Sequence, residues 1–389
     1  HQGADAGVKD GDGLSALGSC PPSASLSVLL ARRAPGAEDA VCTCASLDRS
    51  DELQLLLREK PALVNSRSAA GQSPLHAAAS PTVAEILLEA GAQLEAVDRD
   101  GASPMVFHAC GGPSSRLLAL WFLRRGSNPS FQDAEGRQAL HCCPVEDGMM
   151  DALLKGGAEA DARDDKGRTP LEACVAQDKL TGVETLLHSG VVPHGLVLHL
   201  AKSVNVLERL LAVGADPDAK NEQEDTPLIT FARRGAPDLC RHIIQRGADP
   251  KAHGTKGRTA PFYAVNEEVV RVMVEAHFDL GVQDASGRTV LHYWTQQGHV
   301  DFLRVAKEYK WVSVDLSDSK RRTPLFTAVK YNQKEVLEWL ISVGSSVNAV
   351  DTYGLGPLDV CIEAGCHEDI LDILKKHGAR PGGDSKDEV

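Results

Sequence analysis

The chain repeats one short motif at nearly constant spacing, and this periodicity limits its possible folds more than any other feature. The motif reads "KGRTPLEA" at 166–173, and similar stretches occur at 70–79, 255–264 and 320–328. With the proline of "TPL" as a register mark, equivalent positions recur every 27 to 35 residues. The marks are Ala40, Pro74, Pro104, Ala139, Pro170, Val197, Pro227, Ala260, Val290, Pro324 and Pro357. Such a period indicates a stack of small supersecondary units.

Each position of the repeated unit predicts a local structure. The residue before the mark is Ser or Thr in seven of the eleven units, as in Thr169 and Thr226, and its hydroxyl can cap a helix that begins with proline. A second helix ends in an aliphatic pair such as Leu210-Leu211, and Gly214 follows three residues later as a helix stop. The sequence therefore predicts helix–turn–helix units joined by polar turns.

The stretches "GRTPLEA", "GQSPLHAAA", "LLEAGAQLEA" and "LLAVGADPDA" resemble the T-P-L-H-x-A and L-L-x-x-G-A-D signatures of the ankyrin-repeat family. The resemblance covers residues 37–380 and implies an all-α solenoid of about eleven helix–turn–helix units. It also implies fingertip β-turns and a curved stack with a concave binding face. We expect 1–36 to be a degenerate capping repeat or a disordered lead, and 381–389 to be a disordered acidic tail. The units at Ala139, Val197 and Val290 lack the proline, which leaves their turn geometry open.

Histidines and cysteines fall at structural positions of the register. The resemblance implies that the histidine two residues after the mark forms hydrogen bonds within its own turn, at His76, His141, His199 and His292. The small packing position four residues after the mark holds Cys44, Cys143, Cys174 and Cys361, which we interpret as small hydrophobic residues. Cysteine spacing does not match a zinc site, and no catalytic motif is present. We therefore expect no metal, no cofactor and no enzymatic activity.

Composition limits the class of partner and the location. A net charge of −13 argues against a general nucleic-acid binder, because phosphate recognition needs an excess of Lys and Arg. The best apolar run, at 117–123, is far shorter than the about 18 residues of a membrane span. Ten cysteines in a chain of 389 residues fit a reducing compartment, so we predict a cytoplasmic protein. We expect a monomer that works inside a larger complex.

Variable positions on the first helices and turn tips carry cations and polar groups mainly in the C-terminal half. These candidate partner-binding residues are Arg233, Arg234, Lys256, Arg258, Arg288, Gln296, Gln297, Arg321, Arg322, Lys330 and Tyr331. Arginine can pair with carboxylates through two hydrogen bonds. The sequence therefore predicts an adaptor or scaffold that binds a partner protein, or an acidic peptide, on the concave face.

Two other functions stay open at this point. Trp294, Tyr331 and the arginines could stack on and pair with a nucleotide or RNA. The chain could also be a targeting module of a larger enzyme.

Overall fold

The computed structural model describes residues 37–382, except 69, 144–147 and 309–312. This part of the chain contains nineteen α-helices and five 3-10 helices; it holds no β-strand, and one isolated bridge joins His253 to Thr259. The all-α fold class is confirmed. The predicted lead at 1–36 and nearly all of the predicted tail lie outside the described residues.

The helices follow one another in eleven pairs, which we number 1 to 11. The first helices are Ala37–Ser46, Pro74–Ala77, Pro104–Ala109, Ala139–Cys142, Pro170–Ala176, Val197–Leu200, Pro227–Arg234, Ala260–Tyr263, Val290–Gln297, Pro324–Lys330 and Pro357–Ala364. The second helices are Ser50–Glu59, Pro81–Glu89, Pro113–Arg124, Met149–Lys155, Leu180–His188, Val204–Ala212, Pro237–Gln245, Glu267–Glu275, Val300–Glu308, Lys334–Ser342 and Glu368–Lys376. Two further 3-10 turns are Pro61–Asn65 and Thr255–Gly257. From pair 2 onward, each register mark is the first residue of a first helix.

The pairs form two compact units, one ending at Val192 with pairs 1 to 5 and one starting at Pro193 with pairs 6 to 11. Within each unit, neighbouring pairs stack through aliphatic side chains. The first member of each predicted aliphatic pair is fully buried: Leu87, Leu153, Leu186, Leu210, Ile243 and Leu340 are 0% exposed. Each such side chain contributes about 1.5–3 kcal/mol of transfer free energy.

Backbone hydrogen bonds join the turn tips of pairs 3 to 5 in the first unit and of pairs 8 to 11 in the second. The amide N–H five residues before one mark donates to the carbonyl four residues before the previous mark. In the second unit, Ala285 N donates to Lys256 O (2.8 Å), Ser319 N to Ser286 O (3.2 Å) and Thr352 N to Lys320 O (3.0 Å). Gly287 shows how close the tips are, because a Cβ on it would lie 2.5 Å from Ser319 N at a φ of +72°. The tips therefore set a common register.

Three of the four motif histidines form one hydrogen bond in their own turn and another to the next pair. Nδ1 of His292 accepts the backbone N–H of Thr289 at 3.1 Å, which leaves the proton on Nε2. Nε2 then donates to the carbonyl of Arg322 in the next pair at 2.9 Å. His76 and His141 make the equivalent bonds to Ser73 and Ala102 and to Gln138 and Arg168. The predicted hydrogen bond within the turn is present at these three, and a bond to the next pair adds to it.

His199 departs from this prediction. Its ring nitrogens contact Thr230 Oγ1 at 2.8 Å and Ala219 O at 2.9 Å, both outside its own turn. Leu196, which precedes the mark of pair 6, has helical backbone angles instead of the extended angles of a cap. Its amide is therefore not placed to donate to the ring.

The first helix is four residues long in pairs 2, 4, 6 and 8, and in three of these four pairs the early start of the second helix accounts for it. In pairs 2, 6 and 8 the second helix starts seven residues after the mark (81 − 74, 204 − 197 and 267 − 260), compared with ten in pair 7 (237 − 227). Their first helices are consequently four residues long, although Pro74 carries the motif proline. Ser80, Ser203 and Asn266 then cap the second helices. Pair 9 lacks the proline and still has an eight-residue first helix.

The interpretation of the packing cysteines as small hydrophobic residues is wrong for Cys143, Cys174 and Cys361. Cys143 forms a disulfide with Cys174, which holds the same position in the next pair with a Cα–Cα distance of 5.3 Å. Cys361 pairs with Cys366, and a third disulfide joins Cys110 to Cys142. Equal positions on adjacent first helices lie within disulfide reach, which a single unit does not reveal. Disulfides are typical of oxidising environments, so these bonds count against the reducing compartment, which stays a prediction.

We predict that stability falls when the pH drops from 7 to 5. Burial is the main cause that lowers the pKa of His76, His141, His199 and His292 below 6.5, and burial lowers the pKa of His108 to about 4. The unfolded chain therefore binds more protons below pH 6.5, so stability is complete above that pH and is lost as the pH falls toward the folded values. Urea unfolding at several pH values measures this dependence.

The substitution His292→Gln should make the pH dependence shallower, because it removes one of the buried groups. His377→Gln, at an exposed histidine after the last helix, is the matched control and should leave the dependence as in the parent chain. A His292→Gln protein with the parental pH dependence would contradict the prediction.

Candidate binding cleft

Five of the predicted binding residues meet in one cleft of the second unit. The cleft has a volume of about 410 Å³ and is lined by the first helices of pairs 9 to 11 and the turn tips before them. The predicted residues in its wall are Arg288, Gln296, Arg322, Lys330 and Tyr331. Asp318, Asp351 and Glu363 also line it and were not predicted. The cleft therefore presents charges of both signs.

In six of the pairs, a carboxylate six residues before the mark holds the turn tip together. Oδ1 of Asp318 accepts the backbone N–H groups of Lys320 and Arg322 at 2.8 and 2.9 Å. This Asx-type turn is repeated by Asp98, Asp133, Asp164, Asp284 and Asp351, with Asn221 and Ser68 in the same role. The remaining oxygen of the carboxylate is left for a side-chain partner.

An arginine four residues later takes that oxygen in several tips. Arg322 donates from Nε and Nη2 to Asp318 Oδ2 at 3.0 and 2.7 Å. Burial alone would raise the pKa of Asp318, but hydrogen bonds and the charge of Arg322 lower it below its usual value. Arg137 with Asp133 and Arg168 with Asp164 form the same pair in the first unit. The charge of Arg322 is therefore compensated inside its own tip.

Arg258 and Arg288 both lie against the ring of Tyr293. Their guanidinium carbons are 4.3 and 4.4 Å from the ring centroid, within the range of a cation–π interaction. The Tyr293 hydroxyl donates to Asp284 Oδ2 at 2.8 Å, and both arginines also contact this hydroxyl. Burial and the bond to Asp284 raise the pKa of Tyr293 to about 12. Two of the predicted binding arginines are thus tied to one buried carboxylate.

Arg233 and Arg234 also have internal partners. Arg233 pairs with the buried Asp225 at 2.8 Å and lies 4.6 Å from the ring centroid of Tyr263. Arg234 Nη1 donates to the carbonyl of Ala201 at 3.2 Å, and burial lowers the pKa of its guanidinium. Since a carbonyl is neutral, Arg234 keeps an uncompensated charge.

Lys256, Arg321 and Lys330 are exposed and form no ion pair with any residue the structure describes. Arg321 has a φ of 58° at a position that is Gly287 in the preceding tip and Gly354 in the following one. A left-handed conformation is unfavourable for a residue with a Cβ, so a charged side chain is presented here at a conformational cost. Lys330 lies 5.7 Å from the ring centroid of the exposed Tyr331. Gln297 is exposed too, beside Gln296 in the cleft wall.

Three further observations concern base stacking, metal ligands and membrane spans. Trp294 is only 2% exposed, so its ring is not accessible for stacking on a base. Within the described ranges no cluster of three or more His, Cys, Asp or Glu side chains is arranged to hold a metal ion. Each described helix is too short or too polar to cross a lipid bilayer.

Sequence reasoning missed the acidic side of the cleft. The signal was the D-x-x-x-R spacing before four of the marks, as in Asp318 and Arg322, which predicts an Asx turn with an internal ion pair. In pair 11 the same spacing reads Asp351 and Leu355, so the arginine is missing.

Comparisons with known proteins agree with the register. The chain matches the family profile for ankyrin repeats (three copies) at residues 106–194, 198–284 and 263–351, and the single ankyrin-repeat profile at 70–99. It is 26% identical over 317 residues to the E3 ubiquitin-protein ligase KEG of Arabidopsis thaliana, covering 78% of this chain and 18% of that protein.

Two further relatives match shorter parts of the chain. The identity is 34% over 196 residues with the B-cell lymphoma 3 protein homolog of Mus musculus, covering 46% of this chain and 43% of that protein. The identity is 28% over 214 residues with the nuclear factor NF-kappa-B p105 subunit of Gallus gallus, which covers 53% of this chain and 19% of that protein. The chain therefore spans less than half the length of each of these relatives.

We predict that Tyr293→Phe lowers the free energy of unfolding by about 1–3 kcal/mol, because Asp284 and both arginines lose a hydrogen-bond partner in a buried site. Chemical denaturation measures the loss. Tyr353→Phe removes a hydroxyl from a tyrosine that is 73% exposed and should change stability by much less. Equal effects of the two substitutions would contradict the cluster.

Proposed function

The chain belongs to the ankyrin-repeat family, and we propose that it is a non-enzymatic adaptor that binds an extended segment of a partner protein in the cleft of pairs 9 to 11. Ankyrin repeats are protein-interaction modules, which supports the general class. The observation that carries the location is the convergence of five predicted residues on one cleft of about 410 Å³.

The charge of the partner follows from which cations are not compensated internally. Arg322, Arg288 and Arg258 are held by Asp318 and Asp284, so they define the shape of the tips. Lys330 in the cleft and Arg321 at the adjacent tip are exposed and form no ion pair within the described chain. An acidic side chain of the partner would find its electrostatic complement at these two residues.

The alternatives have less support. Trp294 is buried, so its ring cannot stack on the base of a nucleotide or RNA. One relative is by name a ubiquitin-protein ligase, but this chain covers 18% of it, so the similarity supports a shared repeat region more directly than a shared reaction. We therefore propose the interaction function without a catalytic step.

We predict that peptides bind in this cleft and depend on Lys330. Random dodecapeptides displayed on phage, panned against the immobilised full chain, should yield sequences that share an acidic position. Calorimetric titration of the best synthetic peptide should show an affinity lowered about tenfold by Lys330→Glu, because the exposed charge changes sign. The loss should shrink as salt is added.

Lys375→Glu is the matched control, because it makes the same change at an exposed lysine on the second helix of pair 11, outside the cleft. This variant should bind as the parent chain does. Failure to enrich any peptide, or equal losses in the two variants, would contradict the proposed function at this site.

A further inference from the structure

Asp351 is the tip carboxylate of pair 11, and it lacks the arginine that its counterparts in pairs 9 and 10 have. In those pairs Arg288 and Arg322 stand four residues after Asp284 and Asp318 and pair with them. In pair 11, Leu355 occupies that position. The turn itself is intact, because Oδ1 of Asp351 accepts the backbone N–H groups of Tyr353 and Leu355 at 2.8 and 3.1 Å.

The second carboxylate oxygen of Asp351, Oδ2, lacks the side-chain partner that Asp318 has in Arg322. The carboxylate is 6% exposed and lines the cleft, and Oδ2 accepts no hydrogen bond and forms no ion pair with any residue that the structure describes. A carboxylate with so little exposed surface gains from a cation that reaches it through the cleft. Asp98 is likewise followed by Ala102 instead of arginine, but that carboxylate is partly exposed to water.

We propose that an arginine of the bound partner enters the cleft and completes this ion pair with Asp351, in the place that Arg322 takes on Asp318. This inference rests on the proposed function and names the chemistry of its ligand. Arg322 shows the geometry available at such a site, with Nε and Nη2 both donating to one carboxylate oxygen at 3.0 and 2.7 Å. The exposed carboxylate of Glu363, also in the cleft wall, adds to the attraction.

The position of Lys330 defines the rest of the ligand. Lys330 lies on the first helix of pair 10, whereas Asp351 and Glu363 belong to pair 11. Lys330 ends its first helix, whereas Asp351 lies in the turn tip before the next one, so the two sites are separate. A segment that satisfies both sites therefore carries an acidic residue and an arginine at different positions.

Two substitutions separate the ion pair from the turn. Asp351→Asn removes the charge and keeps the acceptor of the turn; Asn221 shows this in pair 7, where its Oδ1 accepts Gln223 N and Asp225 N at 2.9 and 3.0 Å. Leu355→Arg places an internal arginine where pairs 9 and 10 have one. This arginine would pair with Asp351 and leave no place for an arginine of the partner. Both variants should unfold at a temperature close to that of the parent, or higher for Leu355→Arg.

The experiment pans the same phage-displayed dodecapeptides against the full chain in its parental, Asp351→Asn and Leu355→Arg forms. Peptides enriched on the parent should share an arginine that those enriched on the variants lack. The best synthetic peptide is then titrated beside an analogue in which citrulline, a neutral isostere, replaces that arginine. Citrulline should weaken binding about 10- to 100-fold on the parent, and no more than about twofold on Asp351→Asn.

The outcomes distinguish the two proposals. Enriched peptides without a shared arginine, or a citrulline loss as large on Asp351→Asn as on the parent, would overturn the arginine inference and leave peptide binding intact. A parent chain that enriches no peptide at all would overturn the proposed function and the inference with it. A Leu355→Arg protein that binds the arginine peptide as tightly as the parent would also overturn the inference.

Discussion

The tip carboxylate is the interaction on which the rest of the structure depends. One oxygen of Asp318, or of its equivalent in another pair, accepts two backbone amides and closes the turn. The closed turn then offers a carbonyl and an amide to its neighbours, as in the bond from Thr352 to Lys320. Because each bond involves the backbone, the tips of pairs 8 to 11 keep one register although the first helix of pair 8 is short.

The same carboxylates divide the arginines into two groups. Arg258, Arg288 and Arg322 have their charges compensated by Asp284 and Asp318, so these residues shape the tips. Buried carboxylates bind guanidinium groups strongly, and a partner would have to displace them. Lys330 and Arg321 have no such counter-ion within the described chain, and Asp351 has no such cation. Lys330, Arg321 and Asp351 thus bring unmatched charges of both signs together in pairs 10 and 11, which is why we place partner binding there.

The histidines and cysteines illustrate two ways in which neighbouring pairs are joined. His292 uses one nitrogen in its own turn and the other in the next pair, so its neutral form connects pairs 9 and 10. Cys143 and Cys174 connect pairs 4 and 5 covalently at the packing position. In both cases a residue that resembles a functional group serves stacking. This agrees with a fold in which each unit buries its apolar face only against its neighbours.

The sequence by itself determined the all-α class, the register, and the residue at which nearly every first helix begins. These features depend on residues within three or four positions of each other, such as Thr226 before Pro227 or Gly214 after Leu211, and their chemistry is local. Only the tertiary structure decided that Trp294 is buried, that Cys143 meets Cys174, that His199 leaves its own turn, and that Arg322 is neutralised while Asp351 is not. Those outcomes depend on distances between residues in different pairs, or on which oxygen of a carboxylate remains unused. The repeating pattern of a single unit contains no information on either.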